Sequence, residues 1–194
     1  MEAVRAAHAA GQSAFGENYV QEGADKITAL AGLPLEWHFI GPLQTNKTRV
    51  VAEQFSWVHG IDRLKIAERL SSQRPPTLLP LNVCIQVNLD GATGKSGVAP
   101  AAAAELAHAV ANLPHLKLRG LMSIPEPAEG IAAQRVPHQA LKQLYDQLNR
   151  DGLVLDTLSM GMSADLEAAI QEGATMVRVG SAIFGQRTTE RSKP

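Results

Sequence analysis

Cysteine is almost absent from this sequence: Cys84 is the one cysteine among 194 residues. A single cysteine cannot close an internal disulfide, so the chain is not one of the small secreted domains that depend on such bonds. Cys84 lies in the apolar run LNVCIQVN (81–88), which predicts a packed core residue rather than a nucleophile. With 45% hydrophobic residues, the chain is long enough for one domain with an ordinary core.

An excess of charge of one sign is also lacking. Lysine and arginine number 18, aspartate and glutamate number 19, and the net charge is −1. No broad basic surface is predicted, so neither nucleic acid nor an anionic membrane is an expected partner. Long hydrophobic runs are missing too, and neither a signal peptide nor a membrane span is indicated. We expect a soluble, cytoplasmic protein, and the scattered histidines predict no metal site.

The sequence does contain a regular alternation of strand and helix patterns. Seven apolar strand segments are separated by helical ones, and they centre on Phe15, His38, Val58, Ile85, Leu121, Ser159 and Val177. This alternation is typical of a parallel sheet in an α/β protein, yet the chain opens with a helical segment that no strand precedes. We predict a (β/α)8 TIM-like barrel that lacks its first strand, as a single domain over residues 1–187, with a polar tail at 188–194.

A doubly wound open sheet is the alternative to the barrel. The barrel is favoured because polar residues and glycines gather where strands end, and barrels build their functional face from these ends; the residues are Asn18, Gly41, Gly60, Asn88, Ser123, Ser163 and Ser181. Local signals also predict three helix starts, with Asp62 and Ser163 as caps and Pro137 as a first residue.

Residues 158–185 contain two strand-to-helix junctions, which are one αβ unit apart. Ser163 follows the first strand, and Gly180 and Ser181 follow the second. Free backbone N–H groups at such junctions, with serine hydroxyls beside them, are a natural seat for a phosphate group. The sequence therefore predicts a phosphate-binding site here.

Several blocks of sequence resemble the pyridoxal phosphate homeostasis protein family; they are GENYVQEG (16–23), EWHFIGPLQTNK (36–47), KSG (95–97), RGLMSIP (119–125), LSMGMSADLEAAI (158–170) and MVRVGSAIFG (176–185). The resemblance covers nearly the whole chain, in order. It implies a (β/α)8 barrel related to the alanine racemase N-terminal barrel, with pyridoxal 5′-phosphate (PLP) bound at its C-terminal mouth. It also implies a non-catalytic carrier or buffer in PLP (vitamin B6) and amino-acid homeostasis, with PLP-dependent apoenzymes as partners.

The resemblance assigns roles to individual residues. Ser163, Gly180 and Ser181 are expected to hold the phosphate, and Arg178 is expected to point at the pyridine nitrogen. Because arginine only donates hydrogen bonds, the ring nitrogen then stays an unprotonated acceptor, and PLP is a weak electron sink. A salt bridge at the end of the strand is the other interpretation of Arg178.

Further residues are expected around the ring. Asn18 is a candidate partner of the ring hydroxyl, or else an N-cap of the following helix. His38 is a candidate polar residue at the mouth, or else a core histidine. The remaining candidates are expected to line the ring pocket, with barrel packing as the alternative: Met122, Ser123, Met160 and Met162.

One feature of the family is not found in this chain. In the family, a lysine at the end of the first strand forms a Schiff base with PLP, and that strand would lie before Met1. We expect either a truncated chain or the loss of covalent capture, with PLP held by its phosphate and ring contacts alone. A monomer is expected, with association through the edges beside the missing strand, near Phe15 and Val177, as the alternative.

Two other functions deserve comparison. The first is a PLP-dependent, amino-acid racemase-like enzyme, although the racemases take a second catalytic base from a β-domain that is not expected here. The second is nucleotide binding by GATGKSG (91–97), but a P-loop needs four residues between its first glycine and the Gly-Lys pair, and only two separate Gly91 from Gly94. A mobile flap with a solvated Lys95 is the remaining interpretation of this loop.

Overall fold

The computed structural model describes residues 1–185, and within them seven parallel strands form one sheet. The strands pair in the order in which they occur along the chain: β1 Ala14–Glu17, β2 Glu36–Phe39, β3 Trp57–Ile61, β4 Leu81–Gln86, β5 Leu116–Met122, β6 Thr157–Met162 and β7 Met176–Arg178. The sheet curves into a nearly closed barrel, as the alternation of strands and helices predicted, and the open-sheet alternative is wrong.

Helices cover the outside of the barrel and connect its strands. They are α1 Glu2–Ala9, α2 Val20–Ala29, α3 Thr48–Gln54, α4 Leu64–Gln73, α5 Pro100–Ala111, α6 Ile131–Arg150, α7 Leu166–Gln171 and α8 Ser181–Phe184, with a 3-10 turn at Thr45–Lys47 before α3. Of the described helices, none is long and apolar enough to cross a membrane. The predicted polar tail lies outside the described residues.

The side chains of each strand alternate between two environments, because successive residues of a strand point to opposite faces. Trp37 and Phe39 of β2 pack in the large hydrophobic cluster beneath the helices. The residue between them, His38, faces the barrel interior, where it stacks on Trp57 with the ring centroids 5.2 Å apart. The interior therefore mixes polar side chains, among them His38, His59 and Ser159, with apolar ones such as Trp57 and Met122.

Cys84 belongs to the barrel interior and is fully buried, as its apolar surroundings in the sequence predicted. Burial raises the pKa of its thiol to about 12. The thiolate, which is the reactive form, is therefore scarce at neutral pH, and the interpretation of Cys84 as a core residue is confirmed.

The two ends of the sheet do not pair with each other. Among residues 1–185, β1 is hydrogen-bonded only to β2, and β7 only to β6. The barrel thus has a seam between β1 and β7, and each of these strands presents one unpaired edge.

Two predicted helix starts are wrong. Helix α6 begins at Ile131, after Gly130 with φ 79°, and contains Pro137 in its interior. Proline there loses the hydrogen bond to the Ala133 carbonyl oxygen and crowds it, but Ala132, Ala133, Gln134 and Arg135 are good helix formers, so the helix begins before it. Helix α4 follows Arg63, and no side chain caps it. The Asp62 carboxylate instead accepts a hydrogen bond from the Arg63 guanidinium at 2.6 Å.

Candidate functional site

The loop between β6 and α7 forms one corner of the barrel mouth. Gly161 opens it with φ 91°, and a Cβ there would lie 2.5 Å from the Cβ of Ala169, so the turn requires glycine. Asp165 closes it: its carboxylate accepts the Met162 N–H at 2.7 Å. Asp165 is also the N-cap position of α7, so the prediction that Ser163 caps this helix is wrong. Ser163 lies earlier in the turn, and its hydroxyl is exposed.

The second corner follows β7. Gly180 is the N-cap position of α8, and Ser181 is the first residue of that helix. The Ser181 hydroxyl donates to the Ser163 hydroxyl, with 3.3 Å between the two oxygens. The two serines that the sequence placed at separate junctions are thus neighbours in space. We call Ser163, Gly180 and Ser181 the serine corner.

Backbone donors lie next to these hydroxyls. Within the described residues, the N–H groups of Ser181 and Ala182 have no hydrogen-bond partner, as expected for the first residues of a helix. Nothing lies within 4 Å of the position that a Cβ of Gly180 would occupy, so the space beside the corner is open. Two hydroxyls and free N–H groups that face open space can together bind an anion.

Arg178 lies below the serine corner and points into the barrel. Its Nη1 donates to Ser159 Oγ and its Nη2 to the carbonyl oxygen of Ser123, both at 2.8 Å. The strand-end salt bridge that was the other interpretation of Arg178 is not formed with any carboxylate among residues 1–185. Burial lowers the pKa of its guanidinium to about 10, which leaves it protonated at neutral pH.

His38 is buried and its interpretation as a polar residue of the mouth is wrong. Its Nδ1 lies 2.9 Å from Nε2 of His59, and its Nε2 lies 2.9 Å from a carboxylate oxygen of Glu36. Strand β2 is short and His38 is its third residue, so the ring lies below the rim. His38 is therefore a core histidine, as the alternative interpretation held, and its two hydrogen-bond partners are His59 and Glu36.

Burial also lowers the pKa of the interior histidines. For His38, burial outweighs the hydrogen bond to Glu36, which acts in the opposite direction. For His59, burial together with the charges of His38 and Arg178 lowers the pKa well below 6.5. Both rings are therefore neutral at neutral pH, and each has one nitrogen that donates and one that accepts.

The other candidates for the ring pocket fall into two environments. Met122 is fully buried in the barrel interior with Trp57 and Cys84. Ser123 ends the same strand, and its buried hydroxyl has no hydrogen-bond partner within residues 1–185.

Met160 does not lie near the mouth. It packs in the hydrophobic cluster under the helices, because it points away from the face on which Ser159 meets Arg178. The prediction that Met160 lines the pocket is wrong, whereas Met162, two residues later, is partly exposed at the rim.

Asn18 follows β1 at the far side of the seam and is exposed. The N-cap position of α2 is Tyr19, and no side chain caps that helix, so the interpretation of Asn18 as an N-cap is wrong. Its side chain has no hydrogen-bond partner in the part of the chain that the structure describes, and it remains open to a ligand.

Lys95, the solvated residue of the predicted flap, is partly exposed and forms two ion pairs. Its ammonium group contacts Asp90 at 2.9 Å and Glu126 at 2.7 Å, which ties the 89–99 loop to the loop after β5. Gln86 holds the same loop by donating to the Ser96 carbonyl oxygen. In the part of the chain that the structure describes, no group of His, Cys, Asp or Glu has a geometry suited to a metal ion.

Sequence reasoning missed Ser159, His59 and Glu36. Ser159 is fully buried, lies between the outward-facing Leu158 and Met160, and bonds both Arg178 and His59. The alternation of polar and apolar residues in β6 was the signal that could have identified Ser159 as an interior residue.

Comparison with known proteins identifies the family to which the chain belongs. A family model described as alanine racemase, N-terminal domain, matches residues 1–188. A pyridoxal phosphate homeostasis protein of Pseudomonas aeruginosa is 62% identical over 185 residues, with 95% of this chain and 79% of that protein covered. The protein of the same name from Vibrio cholerae is 55% identical over 196 residues, with 99% and 83% covered.

Solved structures agree with this assignment. PipY of Synechococcus elongatus, in a structure with PLP bound, is 37% identical with a TM-score of 0.87, covering 95% of this chain and 87% of that one. An alanine racemase from Clostridium difficile has a TM-score of 0.80 at 14% identity, covering 97% and 49%, which shows a shared fold alone. The chain belongs to the pyridoxal phosphate homeostasis protein family, whose barrel is that of the alanine racemase N-terminal domain.

Proposed function

We propose that this protein binds PLP at the mouth of its barrel and acts as a carrier or buffer in PLP and amino-acid homeostasis. The observation that supports this most directly is the contact between Ser163 and Ser181 above the partly buried Arg178. The two hydroxyl groups can donate hydrogen bonds to an anion, and the guanidinium supplies one positive charge nearby. Relatives named pyridoxal phosphate homeostasis protein, and the PLP-bound PipY structure, support the same ligand.

The serine corner would hold the phosphate. Each hydroxyl can donate to a phosphate oxygen once their mutual hydrogen bond is exchanged for the ligand, and the N–H groups of Ser181 and Ala182 are free to add two more bonds. Helices α7 and α8 have only six and four residues, so their dipoles are small. We therefore assign most of the attraction to direct hydrogen bonds to a charged acceptor, each contributing about 1.5–3 kcal/mol.

Arg178 would hold the pyridine nitrogen. Because a guanidinium can only donate, it keeps that nitrogen an unprotonated acceptor. When bound, PLP supplies an aldehyde and a pyridine ring that withdraws electrons only weakly when its nitrogen is unprotonated. The site is thus suited to holding the ligand rather than to activating it.

The remaining candidates fit a ring between the corner and the interior. The unpartnered Ser123 hydroxyl is a polar atom that a ligand could satisfy. Met122 would form the floor, Met162 the rim, and Asn18 would face the ring hydroxyl from the opposite side of the seam.

A non-catalytic role follows from the same residues. We expect no racemisation of alanine by the PLP-loaded protein in a coupled assay, because Arg178 disfavours the electron withdrawal that racemisation needs. Turnover well above that of free PLP would instead favour the racemase-like alternative. We also propose that the protein works in the cytoplasm, where it delivers PLP to apoenzymes.

The phosphate assignment is tested by titrating the protein with PLP and with pyridoxal, which lacks the phosphate. Wild-type protein should prefer PLP, and Ser163→Ala with Ser181→Ala should lower PLP affinity about tenfold per hydroxyl while leaving pyridoxal unaffected. Ser72→Ala, at an exposed serine of α4, is the matched control. If the variants lose affinity equally for PLP and pyridoxal, or keep the wild-type preference for PLP, the serine corner does not bind the phosphate.

A further inference from the structure

A continuous series of hydrogen bonds runs through the barrel interior and ends on Arg178. Glu36 contacts His38 at 2.9 Å, His38 contacts His59 at 2.9 Å, His59 contacts Ser159 at 2.7 Å, and Ser159 contacts Arg178 at 2.8 Å. We call these five residues the interior network. It begins at the first residue of β2 and ends at the last residue of β7, so it crosses the barrel from one end to the other.

The two ends of the interior network fix the direction of every bond. Arg178 can only donate, so Ser159 Oγ accepts from it, and the Glu36 carboxylate can only accept, so His38 Nε2 donates to it. A neutral imidazole has one donor and one acceptor, so His38 Nδ1 accepts from His59 Nε2. By the same rule His59 Nδ1 accepts, and the Ser159 hydroxyl donates to it.

The opposite order does not satisfy the same atoms. It would set an unprotonated nitrogen of His38 against the Glu36 carboxylate, or it would need a second proton on one ring. A second proton is unfavourable, because both rings are buried and His59 already lies near the charge of Arg178.

We infer that Ser159 and His59 are positioning residues for Arg178, and that the interior network has a single hydrogen-bond direction that leaves the guanidinium aimed at the ligand. The Ser159 hydroxyl donates its one proton to His59, so a lone pair on its oxygen accepts the hydrogen bond from Nη1 of Arg178. The Ser123 carbonyl oxygen fixes Nη2. Two anchored nitrogens set the plane of the guanidinium, and this inference rests on the proposed function for the identity of what it faces.

Histidine tautomers in the ligand-free protein test the network directly. Long-range ¹H–¹⁵N NMR correlations at neutral pH should show both His38 and His59 neutral, with the proton on Nε2 in each. In Ser159→Ala, Glu36 still fixes both protons on Nε2 through His38, whereas His59 Nδ1 loses the hydrogen bond from Ser159, so we expect the tautomers to persist and the ¹⁵N resonance of His59 Nδ1 to shift. A proton on Nδ1 of either ring in the wild-type protein, or a cationic ring, would overturn the inference. This measurement needs no ligand, so it stands even if PLP binding is not found.

The positioning role is tested with PLP and its 1-deaza analogue, in which carbon replaces the ring nitrogen. Wild-type protein should bind PLP about tenfold more tightly than the analogue, since only PLP accepts a hydrogen bond from Arg178. Ser159→Ala and His59→Leu should reduce that ratio towards one, while affinity for the analogue changes little. His59→Asn, whose side-chain oxygen can accept from Ser159, should restore part of the ratio.

The outcomes separate the two proposals. If folded Ser159→Ala protein keeps the wild-type ratio of affinities for PLP and the analogue, whether or not both affinities fall, the positioning role is overturned. Failure of the wild-type protein to bind either ligand would count against the proposed function, and the tautomers would still decide the direction of the network. Near-UV circular dichroism shows which variants are folded before they are compared.

Discussion

Arg178 is a partly buried cation whose two hydrogen-bond acceptors are neutral oxygen atoms. Ser159 and the Ser123 carbonyl hold it, and burial lowers its pKa to about 10. Its charge is thus present at neutral pH, and within residues 1–185 no carboxylate forms a salt bridge with it. Such an arrangement leaves a desolvated cation free to attract an acceptor on a ligand.

The buried histidines should make stability depend on pH. The pKa of His59 is lowered well below 6.5 and that of His38 is lowered, so below pH 6.5 the unfolded protein binds protons that the folded protein does not. The free energy of unfolding should therefore be constant above about pH 7 and fall as pH drops from 6.5, by up to about 1.4 kcal/mol per pH unit for each ring. Urea unfolding at pH 7.5, 6 and 5 measures this.

His59→Asn is the informative variant for this prediction, because it removes one titrating ring and should reduce the slope. Asp156, whose pKa is lowered by the hydrogen bond from Arg119, acts only near and below its ordinary value of 3.8, outside this window. Equal stability at pH 7.5 and 5 would contradict the neutral, buried state of the rings.

The residues of the serine corner could be predicted from the sequence, whereas the interior network could not. Ser163 and Ser181 each belong to a short local pattern of glycine and serine after a strand, and such patterns are visible in a few residues. The contact between His59 and Ser159 joins residues 100 positions apart. No local rule links such positions, and only the curvature of the sheet brings them together.

The β6–α7 loop is the element that places Ser163. His138 of α6 is fully buried, and its Nε2 lies 2.9 Å from Asp165, which in turn accepts the Met162 N–H. Gln134, one turn earlier on α6, donates to the Ala164 carbonyl oxygen at 3.3 Å. Helix α6 therefore holds the loop at two points.

Replacing His138 by Leu should loosen this loop. The change removes the partner of Asp165, so we expect a loss of about 1–3 kcal/mol in the free energy of unfolding and faster amide exchange at residues 162–165. Hydrogen-exchange mass spectrometry measures the second effect. His108→Leu, at an exposed position of α5, is the matched control. If exchange in 162–165 equals that of wild type, His138 does not hold the loop.

The existence of helices and strands could be predicted well from the sequence, but the starts of α4, α6 and α7 could not. At α6, Pro137 was taken for a first residue because proline is common there, while the residues before it are also helix formers. At α7, the serine signal was outweighed by the turn that Gly161 begins and Asp165 closes. The errors at α6 and α7 arise where two local signals compete within a few residues.

The barrel as a whole keeps an open seam. Strands β1 and β7 each have one neighbour within the described residues, so each leaves a row of backbone groups without a partner strand. Association through these edges, the alternative to a monomer, predicts an average mass that rises with protein concentration, measured by light scattering across a hundredfold dilution series. A mass equal to one chain at every concentration would show that the seam does not pair with a second molecule.

The architecture of the molecule was predictable because parallel strands separated by helices have few packings, and polar strand ends favoured the barrel among them. The position of the mouth followed from the same reasoning. Which interior residues meet across the barrel depends on the register between strands, including the shift between Ser159 and Met162 of β6, and this register is a property of the whole sheet.

A crystal structure of the protein with PLP tests the central claim most directly. The account predicts the phosphate within hydrogen-bond distance of both Ser163 Oγ and Ser181 Oγ, and the pyridine nitrogen facing a guanidinium nitrogen of Arg178. A phosphate bound elsewhere on the barrel, or a pyridine nitrogen turned away from Arg178, would contradict it.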